Sequence, residues 1–189
     1  MAQPVITFKP LVPKTWEPFE QLFGKRGGYG GCWCMWFRQT GKEYSANRGD
    51  ANKQAMRAVV DSNEPPGIMA FVDGEPAGWV SLSPRELFPR LDRSPRTKRV
   101  DDAAVWSIVC FYVGARFRGQ HLMQRLLGAA IDYARGRGAQ VLEAYPKDPE
   151  AGAISTDSAY HGILPVFREA GFEEVARRAP SQPVMRLRL

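Results

Sequence analysis

The chain has 189 residues, enough to bury one sizeable core, and its 44% hydrophobic and 24% charged content is that of a globular protein, not a disordered one. No apolar run reaches the ~18 residues that span a bilayer, and residues 1–7 lack a charged start followed by an apolar stretch, so a soluble, cytoplasmic, single-domain protein over residues 1–189 with no membrane partner is expected. A net charge of +6 suits an anionic partner, either nucleic acid or an anionic small molecule. The three cysteines are an odd number and include a Cys-x-Cys pair, which argues against a disulfide framework. Together with the two histidines they lack the usual Cys-x-x-Cys spacing of zinc ligands, and no metal is expected.

In chain order, residues 5–11 read as a strand bounded by Pro4 and Pro13. Trp16, Phe19, Leu22 and Phe23 recur at helical spacing and predict a short helix over 14–23. The glycine-rich residues 24–31 form a loop before the aromatic segment 32–37. Ala55, Met56, Val59 and Val60 predict a second helix over 46–60, stopped by Pro65-Pro66. Asp73-Gly74 between the apolar runs 67–72 and 76–82 is a hairpin signal. Residues 83–102, rich in Pro and Arg, read as an excursion; its basic cluster Arg90, Arg93, Arg96, Lys98 and Arg99 is expected to be a solvated loop.

A long apolar strand over 104–113 then runs into Gly114-Ala-Arg-Phe-Arg-Gly-Gln-His121 and an amphipathic helix over 122–135. The unpaired N–H groups and dipole of a helix start make such a turn a phosphate site. A strand over 141–145 stops at Pro146, and its alternation puts Val141, Glu143 and Tyr145 on one face. After a polar loop, a short helix over 162–170 ends in Gly171-Phe172, a brief strand is possible at 173–177, and a final strand occupies 184–189. The order β-α-α-β-β-β-α-β-α-β predicts a mixed α/β layer fold.

The strand ending at Val113, followed by Arg118-Gly119, resembles the central motif of the GNAT N-acetyltransferases, although His121 and Met123 stand where the motif's two glycines belong. Phe167-Arg-Glu-Ala-Gly-Phe172 resembles a second feature of that family, and the whole order of elements agrees. Gly31-Cys-Trp-Cys-Met-Trp36, Leu142-Glu-Ala-Tyr-Pro146 and Tyr160-His-Gly162 resemble segments typical of one bacterial branch. The resemblance implies a mostly antiparallel sheet with a central βαβ acyl-coenzyme A-binding unit and two splayed strands. Acetyl-coenzyme A would be the co-substrate, with its arm along Phe111, Tyr112 and Val113. Its pyrophosphate would lie on Arg118, Gly119, Gln120, His121, Leu122 and Met123. Tyr160 and Phe167 would stand near the cofactor, Phe167 occupying the position of the family's usual tyrosine acid.

Acyl transfer to an amine needs a proton acceptor for the amine and a donor for the leaving thiolate. Glu143, a carboxylate inside an apolar strand, is the expected base, since burial would raise its pKa. Tyr145 on the same face is a candidate donor. The alternatives are a carboxylate on the solvent-facing side of an edge strand for Glu143 and a packed aromatic at the strand's end for Tyr145. Tyr29, Trp33, Cys34 and Trp36 are expected to wall the acceptor site, with plain core packing as the alternative for the aromatic residues. The activity expected is acetyl transfer to a small-molecule amine by direct attack in a ternary complex, by a monomer or homodimer. Two alternatives stand beside it: an acyl group carried by aminoacyl-tRNA, and a coenzyme A-binding sensor without turnover.

Overall fold

The computed structural model describes residues 3–62, 64–155 and 158–189. Its elements are β1 (Ile6–Pro10), α1 (Trp16–Phe23), α2 (Gly41–Ala46), α3 (Asp50–Asp61), β2 (Gly67–Val72), β3 (Glu75–Pro84), α4 (Pro89–Arg93), β4 (Trp106–Val113), α5 (Leu122–Gly136), β5 (Val141–Ala144), α6 (Leu164–Glu169), β6 (Glu173–Arg177) and β7 (Pro183–Arg188). The strands form one seven-stranded sheet in the order β1-β2-β3-β4-β5-β7-β6. Every neighbouring pair is antiparallel except β4 and β5, which are joined by α5 as a βαβ unit.

Strand alternation divides the core in two. Ile68, Ala70, Val80, Leu82, Ile108, Leu142 and Met185 face α5 and α6, whose apolar stripes Leu122, Leu126, Ala130 and Leu164, Phe167 cover that side. Met69, Phe71 and Trp79 face the other way, onto α1, α3 and the 33–35 segment. Farther along that second face, Val109, Tyr145 and Val184 pack under Phe88 and Leu91 of the excursion.

The helix expected over 46–60 is α3, which starts only at Asp50 and is preceded by the separate helix α2. Gly49, at φ +77°, takes a left-handed conformation that interrupts the chain between them. Thr40 and Glu43 form a reciprocal capping box that starts α2, a signal present in the sequence as Thr-x-x-Glu. The excursion is not a free loop: it contains α4 and buries Phe88 and Leu91 completely. The possible strand at 173–177 exists as β6. Pro165 sits in the first turn of α6, where its missing N–H has no intrahelical role.

Candidate active site

One irregularity in β4 sets up the site. The β3–β4 register runs Ser81 to Cys110 and then Leu82 to Ile108, so Val109 is an extra, bulged residue. Pairing with β5 ends at Ile108–Ala144, immediately beside the bulge. From there β4 continues to Val113 without a strand on its β5 side, while Pro146 ends β5. A bulge bends and twists the strand that carries it, which is the physical cause of the splay. The 3-10 turn Ala159–His161 packs beside this open edge. Gly162 follows at φ +76°, and a Cβ on it would come within 2.8 Å of the Phe167 ring, so the turn packs this closely against α6 only because this residue is glycine.

At the end of β4 a cavity of about 250 Å3 lies over the first turn of α5, lined among others by Val113, Arg118, Gly119, His121 and Met123. The N-cap residue His121 makes no side-chain cap, and among the described residues no side chain accepts from the leading N–H groups of α5, which are left for an outside acceptor. His121 itself takes the left-handed conformation (φ +57°) that glycine takes freely, and its ring nitrogen Nδ1 lies 3.1 Å from Gln124 Nε2. The loss of the glycine therefore leaves the turn's path intact at a backbone cost of about 1–2 kcal/mol. An uncapped helix start beside the exposed Arg118 and Gln120 is an arrangement that a pyrophosphate fits.

Other expected cofactor contacts are redistributed. Leu122 and Phe167 are core residues, 3% and 0% exposed, so Leu122 offers only its backbone and Phe167 packs edge-on to Phe111 instead of reaching a ligand. Tyr112 points to the opposite face of the sheet and stacks on Phe23 at 5.0 Å. Phe111 and Val113 keep the open edge of β4.

On that opposite face two cavities adjoin. The first, about 320 Å3, is apolar; Cys34, Trp36, Tyr44, Cys110, Tyr112 and Tyr160 are among its walls, with Tyr29 at its rim. The second, about 480 Å3, is basic, with Arg90, Arg93, Arg96 and Lys147 around it. Trp36, Phe37 and Tyr160 border both. Trp33, expected in the acceptor wall, is instead buried among Trp16, Phe19 and Phe23, because α1 presents its apolar stripe there.

Cys34 lies at the bottom of the apolar cavity at φ +57°, directly after Trp33 at φ +42°. Two successive side-chain-bearing residues in the left-handed region are a strained turn. Trp79 Nε1–H donates to Cys34 Sγ at 3.2 Å. Cys110, Trp79 and Ser81, with Arg38 nearby, hold the Cys34 thiol below its ordinary range against the opposing effect of burial, while the neighbouring Cys32 is pushed up to about 11 by burial. Tyr160, half-buried, has a hydroxyl with no hydrogen-bond partner among the described residues. Burial and the nearby thiols raise its pKa to about 12, so it stays a proton donor at neutral pH. His161 stacks against Tyr160 with centroids 4.3 Å apart; burial and Lys147 push its pKa down to about 3, so its imidazole is neutral.

The two residues expected to do the chemistry do not face either cavity. Glu143 and Tyr145 are 0% and 1% exposed. Glu143 Oε1 accepts from Arg85 Nη1 at 2.7 Å and from Tyr145 OH at 2.6 Å, and Oε2 accepts from Arg186 Nε at 2.8 Å. Arg85 Nη2 continues to Asp92 and to the Thr97 carbonyl, and Arg186 to Asp101. Both carboxylate oxygens are thus committed, and the tyrosine hydroxyl, raised well above its usual pKa by burial and by Glu143, is enclosed with Ser107. This corrects the expectation of a free base at Glu143 and a donor at Tyr145: the pair ties the excursion to β5 and β7. Arg85, the centre of that network, was missed from the sequence. The only signal was Glu143 itself, a carboxylate in an apolar strand that required a cation from elsewhere.

Among the described residues no group of His, Cys, Asp or Glu is arranged to hold a metal ion, and no helix is long and apolar enough to cross a membrane.

The family model of the acetyltransferase (GNAT) family matches residues 33–156. No curated protein matches the sequence. Several solved structures share the fold over nearly their whole length. The PaiA N-acetyltransferase of Thermoplasma acidophilum, solved with coenzyme A, is 12% identical, with 98% of this chain and 99% of that one covered at a TM-score of 0.54. A ribosomal-protein-alanine N-acetyltransferase of Brucella melitensis is 17% identical, with 97% and 99% covered and a TM-score of 0.55. An agmatine N-acetyltransferase is 12% identical, with the same coverage and a TM-score of 0.56.

Proposed function

The chain belongs to the GNAT acetyltransferase family, and we propose that it transfers an acetyl group from acetyl-coenzyme A directly to the amine of a small molecule bound in the apolar cavity. The observation that carries this reading is the open edge of β4 from Cys110 to Val113. It runs between the uncapped start of α5 and the apolar cavity on the other face. One strand therefore borders both the phosphate-binding turn and the acceptor space. Coenzyme A, when bound, supplies the activated thioester. Backbone groups of Phe111 and Val113 orient its arm, and N–H groups of residues 118–123 with Arg118 hold its pyrophosphate.

Among the described residues that wall the acceptor cavity there is no carboxylate and no imidazole. The amine's proton therefore leaves to water, and the protein's part is to hold the neutral amine against β4. Tyr160 is the proton donor suited to the departing thiolate: its hydroxyl is uncommitted, protonated at neutral pH, and next to the open edge. Acyl transfer from tRNA finds less support, because the excursion's cations are partly spent inside the protein. Arg99 pairs with Glu86 and Asp92, and the carbonyls of Lys98 and Arg99 are clasped by Arg178.

Calorimetric titration with acetyl-coenzyme A and with free coenzyme A, followed by an amine screen, tests the reading. Micromolar binding with turnover is expected, and Tyr160→Phe should lower kcat by about 10²-fold while leaving coenzyme A affinity unchanged. Binding without turnover on any amine would identify a sensor. No binding at millimolar concentration would overturn the proposal.

A further inference from the structure

We infer that the basic cavity beside Trp36 is an anion subsite of the acceptor, so that the substrate is an amine carrying a carboxylate or phosphate at its far end. This rests on the acceptor reading above. Four cationic side chains, Arg90, Arg93, Arg96 and Lys147, border about 480 Å3, and among the described residues no carboxylate lines the cavity. None of the four forms an ion pair among the described residues, whereas Arg85, Arg99, Arg116, Arg177 and Arg186 all do. Unpaired like charges gathered in one concavity repel one another and are stabilised by an anion that enters.

Arg90 shows that the arrangement is built. Its guanidinium lies 3.7 Å above the Trp36 ring and 5.6 Å from that of Tyr44, and its Nε donates to the Gln39 carbonyl at 3.3 Å. Stacking therefore fixes the group, and its Nη2 has no acceptor among the described residues. Among the described residues Lys147 Nζ donates only to the neutral amide oxygen of Gln182, at 3.1 Å. Burial and Arg96 lower its pKa, the direction expected of a cation held short of counter-charge.

The position relative to the chemistry fixes the class of ligand. Trp36, Phe37 and Tyr160 wall both cavities, so one molecule lying along these rings reaches from the cationic space to the open edge of β4. The amine belongs at the β4 end, beside Cys110 and Phe111, and the anion at the Arg90 end, with a flat apolar spacer between. A plain diamine or polyamine would place a cation among four cations and is disfavoured.

Three acceptors with the same aminoethyl-arene frame test this: 4-methylphenethylamine, 4-(2-aminoethyl)benzoate and tyramine O-phosphate. The carboxylate or the phosphate should exceed the neutral amine in kcat/KM by ~10-fold or more, as a charge-assisted contact predicts, and whichever leads distinguishes the two anions. In Arg90→Ala and Arg96→Ala that ratio should fall toward one. Binding is read separately, without acetyl-coenzyme A, by quenching of tryptophan fluorescence, with Trp36→Phe as the blank. If the anionic compounds quench and nothing is acetylated, the subsite stands and the transferase reading fails. If the neutral amine is acetylated as well as the anionic ones, or if no anionic compound quenches, the subsite is refuted whatever becomes of the transferase.

Discussion

Replacing Glu143 by Gln separates a carboxylate that holds the fold from one that performs catalysis. Its two oxygens receive three donors, at 2.6, 2.7 and 2.8 Å, from Tyr145, Arg85 and Arg186. An amide keeps one acceptor oxygen and turns an N–H2 group toward a guanidinium. Removing one partner of a buried ion pair costs about 3–5 kcal/mol, because a charge is left behind in a poor solvent. Here Arg85 retains Asp92 and the Thr97 carbonyl, and Arg186 retains Asp101, so the lower end applies, about 3 kcal/mol. For a chain of this length each kcal/mol moves the thermal midpoint by roughly 2–4 °C, giving a fall of about 6–12 °C. Tyr145→Phe removes hydrogen bonds but no charge and should cost about 1–2 kcal/mol.

The assay pairs scanning calorimetry with acetyl-transfer rates measured well below the lowered midpoint. The expected result is a large drop in midpoint with kcat changed by no more than about 3-fold, far from the 10²–10⁴ that loss of a general base produces. A Glu143→Gln protein with an unchanged midpoint and a rate down by about 10² or more would refute the structural assignment and restore the carboxylate as the base.

Two further outcomes follow from the titrating groups. His161 is held neutral, with its pKa lowered to about 3, so below the ordinary histidine value near 6.5 the unfolded chain takes up a proton that the native ring refuses. Stability should therefore fall from pH 6.5 to 5 by about 1 kcal/mol, a value discounted because the ring is only half-buried, and His161→Gln should abolish that slope. An identical pH dependence in the variant would show that another group is responsible. For the cysteines, a small alkylating reagent should modify Cys34 with a pH midpoint below that of an ordinary thiol, and before Cys32, which is raised to about 11. Peptide mapping by mass spectrometry reads the order, and prior modification of Cys32 would contradict it.

The elements around the cofactor turn were legible because their signals are local. An apolar run, a Gly- and Arg-bearing turn and a helical stripe follow one another between residues 104 and 135, and β4, the turn and α5 appear there. The hairpin at Asp73-Gly74 was equally local. What failed was pairing across the chain. The role of Glu143 depends on Arg85, 58 residues away, and on Arg186, 43 away. No periodicity encodes either contact. Trp33 and Trp36 are three residues apart in one aromatic segment, yet the first is core and the second is site. The two successive left-handed residues at 33 and 34 turn the chain between them, a conformation that residue types alone do not announce.

The same missing contact explains why the basic cluster differs from a solvated loop. Arg85 anchors the excursion from below, through Glu143 of β5 and, by way of Asp92, through the helix that also carries Arg90 and Arg93. Thr97, whose carbonyl Arg85 grips, lies in the wall of the basic cavity. The buried ion pairs therefore fix the frame on which the unpaired cations are displayed. Loosening that frame should blur the acceptor preference before it touches the thioester chemistry. In Tyr145→Phe, then, the ratio of kcat/KM between the anionic and neutral amines should decline while coenzyme A affinity is retained. A ratio that survives a measurably destabilised network would show that stacking on Trp36 alone suffices to position Arg90.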